Sequence, residues 1–265
     1  MVFIVLGGGC YGTFYTRQLM RAADAGAMPR PEIVVVDHNT QPQVLRELGA
    51  DARVRLVRQD WEPFFEDYFS TLSAAASDQI VPPPFTPHLA VSWLLKTVRA
   101  ARPDVHWDVE PFRRLPATPF ERQSDNCTLV ASHADWICPV HCIEPAICPK
   151  TRGPRDWDMA DTARAFAREL GTVGQPVDQV HLLQCLHLTH GVGTYSAAAL
   201  LQARAAMQSA AITTGSTLRV LVGTVSHCHG AMHLISGRLG TDTVSRPGTS
   251  AIRADATISR GSIYK

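Results

Sequence analysis

The first twelve residues constrain the fold more than any other part of the chain. Val2–Leu6 is a short, wholly apolar run that leads directly into Gly7-Gly8-Gly9-Cys10-Tyr11-Gly12, and an amphipathic segment over about 11–26 follows. An apolar run of this length predicts a buried strand. Glycines between a strand and a helix permit a tight turn that other residues would strain. The sequence therefore predicts a strand, a glycine loop and a helix at this end of the chain.

The same alternation of segments continues through the first half of the chain. Short apolar runs alternate with segments of helical period, the runs at 33–36, 54–57 and 80–81 and the helical segments at about 41–49, 62–76 and 87–101. Continuous Val/Ile runs separated by helices are typical of a parallel sheet that is covered on both faces. We therefore predict an α/β fold with a Rossmann-like parallel sheet and helices on both faces.

The second half predicts a further α/β unit. Strands are expected at 127–133, Val180–Leu188 and Leu218–Val225, the last clear strand, with helices at about 157–170 and 195–209 and a glycine loop at 190–194. Four segments follow from this pattern. They are a nucleotide-binding half over 1–102, a proline-rich linker over 103–126 with a weak strand near 105–109, an α/β half with a cysteine-rich loop over 127–237, and a poorly ordered tail over 238–265.

The glycine loop has the spacing of a dinucleotide site. Gly7, Gly9 and Gly12 fit G-x-G-x-x-G between a strand and a helix, which is the context that this motif requires. The first glycine permits the turn, the second lets a pyrophosphate approach the backbone, and the third lets helix and strand pack closely. Asp37 ends the second strand, where a carboxylate accepts hydrogen bonds from ribose hydroxyls, and Asp60 ends the third strand, near the expected adenine.

With these residues, Val2–Gly12, Val34–Asp37 and Val54–Asp60 resemble the Rossmann dinucleotide-binding superfamily, particularly its TrkA-N type. The resemblance covers about residues 1–80 and implies NAD(H) or another adenine nucleotide, with Asp37 favouring NAD over NADP. Three consecutive glycines and the Cys-Tyr pair depart from the usual motif. Two alternatives stay open: a loop that binds nothing, and the methyl donor of a class I methyltransferase, whose usual acidic residue before the glycines is missing here.

A cysteine-rich loop is the most unusual stretch of the chain. Cys138, Cys142 and Cys148 are spaced C-x3-C-x5-C, and the first and last of them each precede a proline, which stiffens a loop. Thiolates repel one another, so three gathered this closely normally need a cation between them. Iron–sulfur clusters such as 4Fe-4S bind cysteines in short loops, where a Cys-Pro is common. We therefore predict a metal centre held by these three cysteines, with an iron–sulfur cluster as the first candidate.

The sequence leaves the identity of the metal and its fourth ligand open. A fourth ligand could come from one of four residues: Cys127, Cys185, Cys228 or His141. Without one, a cluster would keep one iron open to a substrate. A Cys3His zinc site is an alternative, and so is a loop of reduced cysteines that binds no metal.

Histidines gather at the ends of two predicted strands. His187 and His190 lie at the end of one strand, and His229 follows the other. Ligands of α/β proteins bind at the carboxyl ends of strands, and histidine changes its protonation near neutral pH. We therefore predict that His187, His190 and His229 move protons as catalytic residues, with metal ligation as the alternative.

The composition excludes several classes of protein. A net charge of +1 argues against a nucleic-acid-binding protein, and no apolar run reaches the roughly 18 residues of a membrane span. Val2–Leu6 is too short for a secretory signal, so we expect a cytoplasmic location. There the seven cysteines would stay reduced, which favours metal binding over a disulfide framework.

These features together predict an iron–sulfur oxidoreductase-like enzyme. It would bind an adenine dinucleotide such as NAD and act on a small molecule, with a redox protein as a further candidate partner. One alternative is a non-redox enzyme with an iron–sulfur cluster whose coordination is open. Another is an NAD-sensing regulatory protein with a structural zinc site.

Overall fold

The computed structural model describes residues 1–70, 77–83, 88–138, 142–189 and 191–240, without the side chains of residues 188 and 189. Within these ranges the strands are β1 (Val2–Leu6), β2 (Glu32–Val36), β3 (Val54–Val57), β4 (Gln79–Val81), β5 (Val105–Glu110), β6 (Phe120–Gln123), β7 (Leu129–Ser132), β8 (Gln179–Gln184), β9 (Leu186–Thr189), β10 (Val192–Ser196), β11 (Leu218–Val225) and β12 (His229–Leu239). The helices are α1 (Cys10–Asp24), α2 (Gln43–Leu48), α3 (Trp61–Ser70), α4 (Leu89–Ala101), α5 (Met159–Leu170) and α6 (Ala197–Ser209).

The first sheet contains the apolar runs of the first half of the chain. Its strand order is β3-β2-β1-β4-β10-β9. The four strands β3, β2, β1 and β4 are parallel, and the last two strands of the sheet are antiparallel to their neighbours. The predicted α/β class is confirmed, although the sheet as a whole is mixed rather than entirely parallel.

Helices cover both faces of this sheet, as predicted. Leu19 of α1 belongs to a buried cluster with Phe3 and Val5 of β1 on one face. On the other face, Phe65 of α3 is buried in a cluster with Ile4 of β1. Alternate residues of β1 are therefore buried on opposite faces, which explains why the whole strand is apolar.

The second sheet has the order β6-β7-β12-β11-β8, and β5 also pairs with β12. Strands β8 and β11 are parallel, and the other pairs are antiparallel. One buried cluster joins α4 and α6 to both sheets, so these helices lie between them. Helix α5 covers the opposite face of the second sheet, where Phe166 and Leu170 are buried. The two sheets thus share one apolar layer.

Two expectations for the region around residue 190 are wrong. The predicted strand Val180–Leu188 is divided at Cys185 into β8 of the second sheet and β9 of the first, because the Cys185 N–H bonds the carbonyl of Val225. The predicted glycine loop at 190–194 is largely β10. Gly193 lies in that strand, packed against His187: a Cβ at this position would be 3.0 Å from the His187 ring.

The expectation that Leu218–Val225 is the last clear strand is also wrong, since β12 follows it. Two glycines weaken the strand pattern of β12, and Gly237 is needed because a Cβ there would lie 2.7 Å from the buried ring of Trp107. Residues 103–126, predicted as a linker, contain β5 and β6, so the weak strand near 105–109 is confirmed. The predicted tail lies mostly outside the described residues, apart from 238–240.

His233 is a buried titratable group in the centre of β12. Its side chain is 3% exposed, and its Nε2 lies 2.8 Å from Oγ1 of Thr128. Burial lowers the pKa of His233 to about 4 from its ordinary value of 6.5, with a smaller contribution from His88. The imidazole is therefore neutral in the folded protein at neutral pH.

We expect stability to fall as the pH falls from 6.5 to about 4, because the unfolded chain protonates His233 throughout this range and the folded chain does not. The expected loss from this group is about 3 kcal/mol. Urea unfolding at both ends of the range compares the wild type with His233→Gln. On acidification the variant should lose about 3 kcal/mol less stability than the wild type. An identical pH dependence in both proteins would contradict the expectation.

Candidate functional site

The glycine loop has the backbone geometry that its motif requires. Gly7 has a φ of +99°, which is in the left-handed region. A Cβ on Gly12 would lie 1.7 Å from the carbonyl oxygen of Gly7, so helix and strand are in close contact there. Gly9 is exposed, and a Cβ on it would have no atom within 4 Å. The three glycines thus provide the turn, the close packing and the open approach that a bound pyrophosphate needs.

The two predicted aspartates lie in different surroundings. Asp37 follows β2, and its carboxylate accepts hydrogen bonds from the N–H of Gly8 at 2.6 Å and of Asn39 at 2.7 Å. It therefore holds the glycine loop itself. Asp60 is at the surface, with a side chain 74% exposed and Oδ1 3.6 Å from Nδ1 of His38.

Four cysteines line one cavity. Cys138, Cys142 and Cys148 come from the loop between β7 and α5, and Cys228 comes from the turn between β11 and β12. The structure thus brings the three predicted ligands together and adds a fourth thiol from a distant part of the chain. All four are free cysteines.

The other candidates for a fourth ligand are placed differently. Cys185 lines a second cavity, described below, and Cys127 lies beside β7 with a φ of +61°. Neither lines the cavity of the four cysteines. His141 lies outside the described residues.

Two of the four sulfur atoms face N–H donors at short distances. The N–H of Glu144 donates to Sγ of Cys142 at 3.4 Å. The indole Nε1–H of Trp157 donates to Sγ of Cys228 at 3.3 Å. At Cys228 burial outweighs the Trp157 donor and raises the pKa of the thiol to about 11.

The other two thiols differ in acidity. The backbone N–H of Thr151 is the main cause of a lowered pKa at Cys148. Burial, followed by the neighbouring Cys142, raises the pKa of Cys138. The basic side chains of Lys150 and Arg155 line the same cavity. A cation among the sulfurs would favour the thiolate form of all of them.

The donor set fits a thiolate-bound metal centre. In the described part of the chain, no three His, Cys, Asp or Glu side chains are already arranged to hold one metal ion. Four cysteines around a common cavity are nevertheless the ligand set of iron–sulfur clusters and of many zinc sites. The chemistry of these donors therefore suits either centre.

A second cavity of about 320 Å³ lies between the two sheets. We call it the cleft. Leu6 and Pro82 line it from the carboxyl ends of β1 and β4, and His187, Ser226 and His229 line it from β9 and the β11–β12 turn. Two of the three predicted catalytic histidines are thus brought together at one place. The third, His190, lies outside the described residues.

Glu144 lines the cavity of the four cysteines and contacts two residues that line the cleft, Ser226 and His187. Its residue is 8% exposed, with a φ of +51°, and it lines the cavity of the four cysteines. Its carboxylate accepts hydrogen bonds from Ser226 Oγ at 2.7 Å, from the N–H of His227 at 2.9 Å and from the N–H of Cys228 at 3.3 Å. Burial would raise the pKa of Glu144, but these hydrogen bonds outweigh it and lower the pKa. The carboxylate is therefore ionised at neutral pH.

Sequence reasoning missed Glu144. The available signal was modest: it is the only acidic residue between Cys138 and Cys148. It missed Asp158 as well, whose Oδ2 lies 2.6 Å from Nδ1 of His227 while its Oδ1 accepts from the first N–H groups of α5. Both carboxylates hold the β11–β12 turn.

The histidines of the cleft are neutral at neutral pH. Burial lowers the pKa of His187 and of His229, and Glu144 opposes this effect at both. Nδ1 of His187 lies 3.7 Å from Oε2 of Glu144 and is buried with no hydrogen-bond partner in the described part of the chain. Nδ1 of His229 lies 2.8 Å from Ser132 Oγ. Neutral imidazoles in a cleft can accept a proton from a bound molecule.

The comparisons with known proteins concern the second half of the chain. Residues 90–238 match AF_1314_C, the family described as "Uncharacterized protein, C-terminal domain". The match covers more than half of the chain, which therefore belongs to this family. It includes all four cysteines of the cavity and both histidines of the cleft, and the glycine loop lies outside it. No curated protein and no solved structure matches the chain.

Among the described residues, no helix is both long enough and apolar enough to cross a membrane.

Proposed function

We propose that this protein is an iron–sulfur oxidoreductase-like enzyme that binds NAD on the glycine loop and acts on a small molecule in the cleft. One observation carries the proposal: four cysteines line a single cavity next to a cleft that contains two histidines. Glu144 lines the cavity of the cysteines and bonds Ser226, which lines the cleft. A metal–thiolate centre in that cavity would therefore be adjacent to proton-accepting groups.

The four cysteines would hold the cluster, which when bound supplies transfer of single electrons. Lys150 and Arg155 would offset the negative charge of the thiolates. The presence of Cys228 as a fourth thiol favours a fully ligated cluster over the alternative with an open iron. A reducing compartment such as the cytoplasm would keep the thiols available.

The glycine loop would hold the nucleotide. Helix α1 begins at Cys10, directly after the exposed Gly9, so a pyrophosphate on the loop would lie at the N-terminus of that helix. Asp37 is positioned next to the loop for ribose hydroxyls. Leu6 directly precedes the glycines and also lines the cleft. A dinucleotide on the loop would therefore extend towards the cleft.

The histidines of the cleft would accept protons. His187 is neutral and can take a proton from a bound molecule. Glu144, which is ionised and 3.7 Å from Nδ1, would stabilise the imidazolium that results. His229, beside Ser132, is a second neutral imidazole in the same cleft.

The ligand set is tested by four single variants, Cys138→Ala, Cys142→Ala, Cys148→Ala and Cys228→Ala, purified without oxygen. We expect iron and acid-labile sulfide per chain to fall below about a third of the wild-type content, because each variant removes a ligand. Cys127→Ala is the matched control, since Cys127 is also partly buried and lies outside the cavity. It should retain the full content. Equal losses in the control, or none in the four variants, would contradict the assignment.

A second candidate is an NAD-sensing regulatory protein with a structural zinc site. The observation in its favour is the same closed set of four thiols, which also suits tetrahedral zinc. The two candidates differ in metal content. Zinc without iron or sulfide in the wild-type protein, lost in the same four variants, would support the regulatory candidate.

A further inference from the structure

We propose that the cleft binds an uncharged, largely apolar small molecule that has one polar end. This inference rests on the proposed function in that it names the class of substrate for the same cleft. It is carried by the composition of the cleft walls and by the position of the buried carboxylate of Glu144 behind its polar groups.

The walls of the cleft are mostly apolar. The apolar residues that line it are Leu6, Pro82, Pro83, Leu89, Ala90, Val130, Val225 and Ala231. Among the described lining residues there is no Lys, Arg, Asp or Glu. None of these four residue types among the described lining residues is therefore available to pair with a charged ligand.

Two of the polar groups that line the cleft lie next to Glu144, and Tyr15, Tyr195 and Thr224 also line it. Ser226 and His187 both lie next to the carboxylate of Glu144, and His229 follows Ser226 in the same turn. Nδ1 of His187 is buried and lacks a hydrogen-bond partner among the described residues. A serine hydroxyl and imidazole nitrogens can form hydrogen bonds to a hydroxyl or carbonyl group of a bound molecule.

Charged ligands of either sign are disfavoured. A carboxylate at the polar end would lose its hydration and meet no Lys or Arg among the described lining residues. An ammonium group would lose its hydration between apolar walls. Glu144 offers it little compensation, because its oxygens already accept three hydrogen bonds.

Three probes with the same ring test this inference: benzyl alcohol, benzoate and benzylammonium, each titrated by NMR against the full chain. We expect benzyl alcohol to bind and the two ions to bind about tenfold more weakly or not at all. Val130→Lys places a cation on the cleft wall at a position that is 39% exposed. In this variant benzoate should bind about tenfold better than in the wild type.

Val180→Lys is the matched control, because Val180 is 36% exposed on β8 and does not line the cleft. It should bind all three probes as the wild type does. Equal binding of the ions and the alcohol by the wild type, no binding of any probe, or the same gain for benzoate in both lysine variants would overturn the inference.

Metal content and NAD binding are measured on the same samples. These measurements distinguish a failure of the proposed function from a failure of the inference about the cleft. A protein that lacks iron and NAD affinity but discriminates among the probes would overturn the proposed function and support the inference. A protein with cluster and nucleotide that does not discriminate would overturn the inference alone.

Discussion

Gly12→Ala is expected to lower the free energy of unfolding by more than about 4 kcal/mol, enough to prevent folding of many domains. The added Cβ would lie 1.7 Å from the carbonyl oxygen of Gly7 and close to its carbonyl carbon. Both are backbone atoms at the junction of β1 and α1, so neither can move aside as a flexible side chain would. Helix α1 would have to shift away from the centre of the first sheet.

Gly9→Ala is the matched variant in the same loop. Its Cβ would have no atom within 4 Å, so the free energy of unfolding should change by less than about 1 kcal/mol. The methyl group would occupy the space in which a pyrophosphate approaches the backbone, and NAD affinity should fall by about tenfold or more. Urea unfolding and calorimetry with NAD measure the two effects. Wild-type stability in Gly12→Ala, or wild-type NAD affinity in a folded Gly9→Ala protein, would contradict these expectations.

Glu144→Ala is expected to destabilise the fold by about 3 kcal/mol or more. Three donors lose their acceptor: the hydroxyl of Ser226 and the N–H groups of His227 and Cys228. These groups fix the turn between β11 and β12, and the turn carries one of the four cysteines. Alanine would also keep the unfavourable φ of +51° without the hydrogen bonds that compensate for it.

The control for this prediction is Glu169→Ala. Glu169 forms an ion pair of 3.1 Å with Arg114, but both side chains are about half exposed. Such surface pairs contribute less than about 1 kcal/mol. Urea unfolding of both variants compares the two carboxylates. Similar, small losses in both would show that Glu144 does not hold the turn.

The four parallel strands of the first sheet could be predicted from the sequence because their signals are local. Val2–Leu6 and the next apolar runs are buried on both faces, so they stand out as continuous hydrophobic segments. The glycine spacing could be interpreted in the same way, since Gly7 and Gly12 meet within one turn of chain. Each of these features is decided by neighbours in sequence.

The second sheet could not be predicted to the same extent, because its signals are long-range. Gly237 of β12 packs against the ring of Trp107, which leaves no room for a Cβ. Trp107 lies 130 positions earlier in the chain. The division at Cys185 depends on a hydrogen bond to Val225. Neither contact leaves a periodic pattern in the sequence.

The candidate site was partly predictable for the same reason. Cys138, Cys142 and Cys148 are close in sequence, and their grouping could be predicted without a fold. Cys228 was one of four possible fourth ligands, and only the fold places it in the cavity. Glu144 bonds Ser226 across 82 residues, so its role depends on the tertiary structure.

The central claim is that the four cysteines hold an iron–sulfur cluster, and the most direct test is the metal content of the wild-type protein purified without oxygen. The proposal predicts a brown protein with visible absorption, iron and acid-labile sulfide in comparable amounts, and little zinc. A colourless protein that contains zinc alone, or no metal, would contradict it.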